Sequence, residues 1–234
     1  MTLYFYGTVS GDEALWTDTG TGYGNWFTDH AVLGGAHTTV PASALPLATD
    51  DVVFLTTITN LGAARTVNTA VFGDSAVPLT ANLEDITYAL TVTGDATFND
   101  GSTNSGTVSG NATFNDSSYN YATVTGDATF YDISYNYGLV SGDATFNDSS
   151  NNNYDATVTG DSTFNDSSNN YGTVSGDATF NDSSNNGGTV SGITYVRQSP
   201  TAFLAWRNYC GTPYCQGGLV LQFPQLDILG TGLL

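Results

Sequence analysis

The chain has 234 residues, enough for one or two domains, and carries twenty-two acidic side chains against three basic ones, for a formal net charge of -19. With Arg65, Arg197 and Arg207 as its only cationic side chains apart from two histidines, it cannot assemble a basic patch, which excludes nucleic-acid binding and disfavours anionic surfaces. No apolar run is long enough for a membrane-spanning helix, so no membrane partner is expected.

Residues 1–65 form a non-repetitive region. Its opening, MTLYFYGTVSGDEAL, has neither a basic n-region nor an apolar h-region, so no secretory signal peptide is expected. Aromatic residues gather here: Tyr4, Phe5, Tyr6, Trp16, Trp26 and Phe27. Pro41, Leu45 and Pro46 follow, and then Asp51-Val52-Val53-Phe54-Leu55. This succession resembles the opening of bacterial and phage extracellular β-solenoid proteins. The resemblance covers about forty residues and implies a cap over the first coil, because an open solenoid end is an unpaired strand edge. The tryptophans read either as a small aromatic core or as a platform for sugars.

Residues 66–192 are read as the solenoid array, entered through degenerate coils at 66–91. Val71-Phe72-Gly73-Asp74 there echoes a step of the repeat that follows. From residue 92 a sixteen-residue unit, T-V-S-G-D-A-T-F-N-D-S-S-x-N-x-G, recurs six times. Its phenylalanines are Phe98, Phe114, Phe130, Phe146, Phe164 and Phe180, with one two-residue insertion within 151–155. A fixed short period means stacked equivalent units.

Within a unit the recurring residues share one parity: Val92, Gly94, Ala96, Phe98, Asp100, Ser102, Asn104 and Gly106. The positions between them vary. Alternation with period two is the mark of strands, with the recurring parity inside. The expectation is an all-β fold, a β-solenoid with one coil per sixteen-residue repeat and coils about 4.8 Å apart. A β-meander with one hairpin per unit would keep the same parity. Serines from Ser102 to Ser184 and asparagines from Asn104 to Asn186 should form polar ladders inside the stack. Each coil offers only Val, Ala and Phe for apolar burial, which is thin against the entropy of ordering. Support from a homotrimer is therefore expected.

Residues 193–234 leave the pattern. ITYVRQSPTAFLAWRNY precedes Cys210-Gly-Thr-Pro-Tyr-Cys215 and an apolar end, LVLQFPQLDILGTGLL, read as a C-terminal cap or docking segment. Cys210 and Cys215 flank a turn sequence and suit a local disulfide, with free buried thiols or a redox pair as the other readings. His30 and His37 lie too far off in sequence to complete an obvious metal site.

Three groups of residues are candidates for chemistry or recognition. Asp95, Asp127, Asp143, Asp161 and Asp177 recur at one outward position, with Asn111 in the second copy. Stacked carboxylates repel, so they are either screened by water and salt or bridged by a cation such as calcium. Asp100 and its equivalents fall on the inward parity and are expected at a corner, accepting hydrogen bonds from turn N–H groups. Tyr119, Tyr121, Tyr135, Tyr137 and Tyr171 stand at outward positions near one corner, with Tyr131 and Ile133 close by and Tyr154 in the insertion. Adjacent coils would merge them into an aromatic patch that seats a protein partner or stacks on glycan.

No catalytic constellation emerges. Repeated aspartates in equivalent coils read as architecture rather than as a glycosidase pair, so neither an enzyme nor a cofactor is expected. The C-terminal LVLQFPQLDILGTGLL resembles the ends of uncharacterised phage virion proteins. With the lysine-free, Asn- and Thr-rich composition, the two resemblances imply a bacteriophage virion surface protein that decorates or cements the capsid or forms a short fibre. Its partners would then be the major capsid or other virion proteins. A carbohydrate-binding adhesin or receptor-binding fibre using the tyrosine corner is the alternative.

Overall fold

The computed structural model describes residues 2–5, 26–27, 46–55, 57, 64–73, 81, 90–197 and 219–221. No helix occurs among them; every regular element is a strand. The repeat folds as three short strands per coil. Ala96–Phe98, Thr103–Asn104 and Thr107–Val108 are the three in the first copy, and each pairs in parallel with its counterpart in the next. The coils stack into three parallel sheets, here called the Phe, Asn and Val sheets after their recurring inward residue. The meander is thereby excluded, because hairpins would pair their strands antiparallel.

Burial follows the parity. Val108, Ala112, Phe114, Ser118 and Asn120 are all buried, whereas Thr113, Tyr119 and Tyr121 between them are partly or fully exposed. The phenylalanines form the spine. Ring centroids lie 4.7–4.8 Å apart with planes 3–8° from parallel all the way from Phe72 to Phe180. That separation is the spacing of neighbouring strands, so the backbone imposes the stacking and the rings fill the interior at that pitch. Each such pair contributes about 0.5–1.5 kcal/mol beyond its buried area.

The Phe sheet is longer than the repeat. It has twelve strands and runs on through Ala70–Phe72, Asp51–Phe54 and Thr2–Phe5. Phe72 and Phe54 stack at 4.5 Å, and Phe5 meets Phe54 at 5.9 Å with a 54° tilt. The boundary drawn at residue 65 therefore marks a change of sequence character, while the sheet crosses it. Phe72 occupies the Phe position and Val67 pairs with Val92. The echo around Val71 thus belongs to the A-x-F step of the unit and not to the V-x-G-D step, a register that loops of unequal length conceal. At the N-terminal edge, Trp26–Phe27 pairs antiparallel with Thr2–Phe5, the kind of cover that an open edge needs. At the other end Leu219–Leu221 adds in parallel to Thr194–Arg197.

The coils turn three corners. After each Phe strand comes a tight turn such as Asn99–Ser102, closed by Ser102 N–H donating to the Asn99 carbonyl at 3.0 Å. Its second residue is always aspartate with positive φ, from 50° at Asp116 to 58° at Asp148. Aspartate tolerates this left-handed conformation better than most residues. The backbone twist swings the side chain out of the interior, so Asp116, Asp132, Asp148, Asp166 and Asp182 are exposed despite their inward parity. After each Val strand a glycine corner brings successive coils so close that a Cβ on Gly126 would sit 2.5 Å from the Gly110 carbonyl oxygen. The third corner, at Ser105-Gly106 and its equivalents, joins the Asn and Val sheets.

Candidate interaction surface

The recurring polar residues are used by the stack itself. Asn104 donates its amide to Oδ1 of Asn120 at 2.7 Å, and the chain of bonds continues through Asn136, Asn152 and Asn170 to Asn186 at 2.8–2.9 Å. Most of these oxygens also accept a backbone N–H two residues on, as Asn136 does from Gly138 at 3.2 Å. The serines are buried in a column as expected, but their hydroxyls bond differently. Ser118, Ser150 and Ser168 donate to the carbonyl three residues earlier at 2.6–2.7 Å and to the phenylalanine carbonyl of the coil before at 3.1–3.3 Å. These carbonyls also accept backbone N–H groups, as Asn115 does from Ser118 and Phe98 from Asn115, so the serine column adds a second bond at each turn and fastens it to the coil before.

The Asp95 column has a specific cause. At the glycine corner the N–H and C=O of Asn111 both point back to the preceding coil. The N–H donates to Oδ1 of Asp95 and the carbonyl accepts from Ala96, both at 2.9 Å. A carbonyl turned backward leaves the N–H of the coil above without a backbone acceptor, and the side chain supplies one. Asp127 N–H donates to Oδ1 of Asn111, Asp143 to Asp127, Asp161 to Asp143, Asp177 to Asp161, and Ile193 to Asp177, at 2.7–2.9 Å. Asn111 performs this task without a charge, so the column requires an oxygen and not an anion. Among the described residues no group of three or more His, Cys, Asp or Glu side chains is arranged to hold a metal ion.

The Asp100 column was expected to accept N–H bonds from its own turns. Where the carboxylates of Asp148 and Asp166 accept backbone N–H, the donor is the equivalent aspartate of the preceding coil, at 3.2–3.3 Å. The turn is closed by its own carbonyl instead. Cys210 and Cys215 lie outside the described residues, as do Trp16, His30 and His37.

The tyrosines form two clusters. Tyr119, Tyr121, Tyr135 and Tyr137 make a two-by-two block, with Tyr121 over Tyr137 at 4.9 Å and Tyr119 over Tyr135 at 5.5 Å. Neighbours within a coil are 6.0–6.1 Å apart. Tyr154 and Tyr171 form a separate pair at 5.2 Å. In the block the rings stack on one another, Tyr121 and Tyr137 within 11° of parallel and Tyr119 and Tyr135 within 10°. Partial burial, followed by the phenols of Tyr121, Tyr135 and Tyr119, holds the Tyr137 hydroxyl above its ordinary pKa.

Tyr131 and Ile133 were expected beside this corner, but the continuation to Leu139 was missed in the sequence although its signal is there. In the coil YDISYNYGLV every outward position is large: Tyr131, Ile133, Tyr135, Tyr137 and Leu139. The inward residues Ser134, Asn136 and Val140 stay at consensus and are buried. Ile133, Tyr131, Tyr137 and Leu139 are all exposed. A single coil thus carries an apolar band from the Asp turn, across the Asn sheet, and onto the Val sheet. No family model, curated protein or solved structure matches the chain.

Proposed function

We propose that the protein is a non-catalytic structural component of a bacteriophage particle, a rigid β-solenoid that decorates or cements the capsid or forms a short surface fibre. The observation that carries this reading is the fate of the repeated polar groups. The Asn and Asp columns bond coil to coil, so the chemistry that recurs in the sequence holds the rod together. The outward positions that escape the repeat are concentrated in the tyrosine block and the band beside it, which suits attachment to another protein surface. The composition and the two resemblances in the terminal regions supply the viral context.

Antibody raised against the purified chain should label intact phage particles from the same source in immunogold electron microscopy. Labelling confined to cell envelopes overturns the assignment. The adhesin reading has one observation in its favour, the high exposure of Tyr154 at 74 %. A polysaccharide array tests it directly: binding that is lost in Tyr154→Ala and Tyr121→Ala would replace capsid attachment with glycan recognition.

A further inference from the structure

The array between residues 92 and 192 contains twelve aspartates and no other charged residue. Eleven of them fall in two columns, the Asp95 and Asp100 positions, and these columns border the two edges of the Phe sheet. Asp155, in the insertion, is the exception. The outward positions of the Asn sheet carry Thr103, Tyr119, Tyr135, Asn151, Asn169 and Asn185. Those of the Val sheet carry threonine throughout, save Leu139. The prism therefore has a Phe face bordered by a carboxylate column on both sides, while the Asn and Val faces border one column each and carry no charge on their strands within the array. These two faces meet at the corner of Tyr121 and Tyr137, where the exposed Asp155, between Asn152 and Thr157, is the single charge.

We propose that these two faces are the contact between copies of this chain. In a closed symmetric assembly every copy offers the same surface, so any charge placed in the contact is repeated by each neighbour. For a protein of net charge -19, like copies approach most readily through the faces with the fewest charges, with the carboxylate columns at the rim in water where salt screens them. A partner of opposite charge would instead be met by the acidic Phe face. The apolar band of Tyr131 to Leu139 reinforces the choice. It lies at one level of the rod and turns the corner between the two faces, so copies held in register bring the bands together.

Six coils at about 4.8 Å and two-residue strands rising about 3.3 Å per residue give the Asn and Val faces roughly 200 Å² each, together about half of the roughly 800 Å² per partner of a stable interface, so the corner residues Tyr121, Tyr137 and Tyr154 must supply much of the rest. Both faces are then needed. A homotrimer is the smallest ring in which each copy meets two different neighbours. The inference does not depend on where the protein resides.

The test is the native mass of the purified chain by light scattering, at low salt and at about 0.5 M salt. Wild type should show two or more chains per particle, with the assembled fraction rising at high salt as the acidic edges are screened. Tyr137→Glu, which adds a second charge to that corner inside the apolar band, should give a single-chain mass. Thr145→Glu, on the Phe face, should leave the assembly intact. Circular dichroism confirms that both variants remain folded, and Tyr121→Glu serves if Tyr137→Glu is not. A single-chain mass for wild type at every salt concentration overturns the proposal. So does an assembly that survives both tyrosine variants.

Discussion

Asn136 sits in the middle of the buried amide column, and its removal measures what that column is worth. Its Oδ1 accepts from Asn120 at 2.8 Å and from Gly138 N–H at 3.2 Å, and its amide donates to Asn152 at 2.9 Å. Asn136→Ala leaves three buried groups unpartnered: the Asn120 amide, the Gly138 N–H and the Asn152 oxygen. At about 1–3 kcal/mol per orphaned group the loss should be about 3–6 kcal/mol after partial relaxation. Asn186 ends the column. It accepts from Asn170 and Gly188, but its own Nδ2 is buried without a partner. Asn186→Ala orphans two groups and removes one orphan, so its net cost should be only about 1–3 kcal/mol.

Asn136→Asp adds a test by pH. Its oxygen still accepts, but the ionised carboxylate cannot donate to Asn152, whereas the neutral acid can. Burial raises the folded pKa of such a carboxyl above its unfolded value. The variant should therefore approach wild type below the unfolded pKa of about 4 and lose stability as the pH rises toward the folded value. Denaturant melts followed by far-ultraviolet circular dichroism from acid to neutral pH would measure all three variants. Equal costs at positions 136 and 186, or no pH dependence in Asn136→Asp, would refute the hydrogen-bonded column as a source of stability.

Four further outcomes follow from the same geometry. Asp127→Asn should be neutral or mildly stabilising in thermal melts, because the amide oxygen still accepts from Asp143 N–H and one stacked charge is gone; Asp127→Ala should cost about 0.5–1.5 kcal/mol, because the exposed Asp143 N–H loses this bond but can turn to water. Gly126→Ala should destabilise the fold by more than the ordinary loop exchange, since the new Cβ lies 2.5 Å from the Gly110 carbonyl oxygen and 2.7 Å from Oδ1 of Asn111; an unchanged melting temperature would contradict that close approach. Tyr131→Asn should raise the melting temperature by restoring the outer amide column: Asn147, which now reaches the Phe130 carbonyl at 3.4 Å, gains an oxygen where Asn165 and Asn181 already have one. The pH limits have opposite signs. Hydrogen bonds from Thr69, then from Asn68, lower the Asp51 pKa below 3.8, so its contribution holds above that value and is lost as pH falls through the folded pKa. The raised Tyr137 pKa gives a contribution that is full below its ordinary value of 10.0 and lost as pH rises through the folded one. Phenolate absorbance during an alkaline titration should show a late-ionising component that is lost in Tyr137→Phe.

The coil and its inside were written in the sequence, because strand parity is a local property. Two residues apart means the same face whatever the chain does next, so Val92, Phe98, Ser102 and Asn104 could be assigned to the interior before any coordinates. The tyrosine positions were legible for the same reason. Hydrogen-bond direction was not. Whether Asp95 binds a cation or caps a backbone N–H depends on the carbonyl of its equivalent turning backward at the glycine corner, and only the assembled coil determines that. Asp100 had inward parity, yet a positive φ turned it out. Phe5 and Phe54 belong to the spine although loops of unequal length hide their register. The separation of charged from uncharged faces is likewise a tertiary fact. Alternate outward residues look alike along the chain, and the corners decide which of them share a plane.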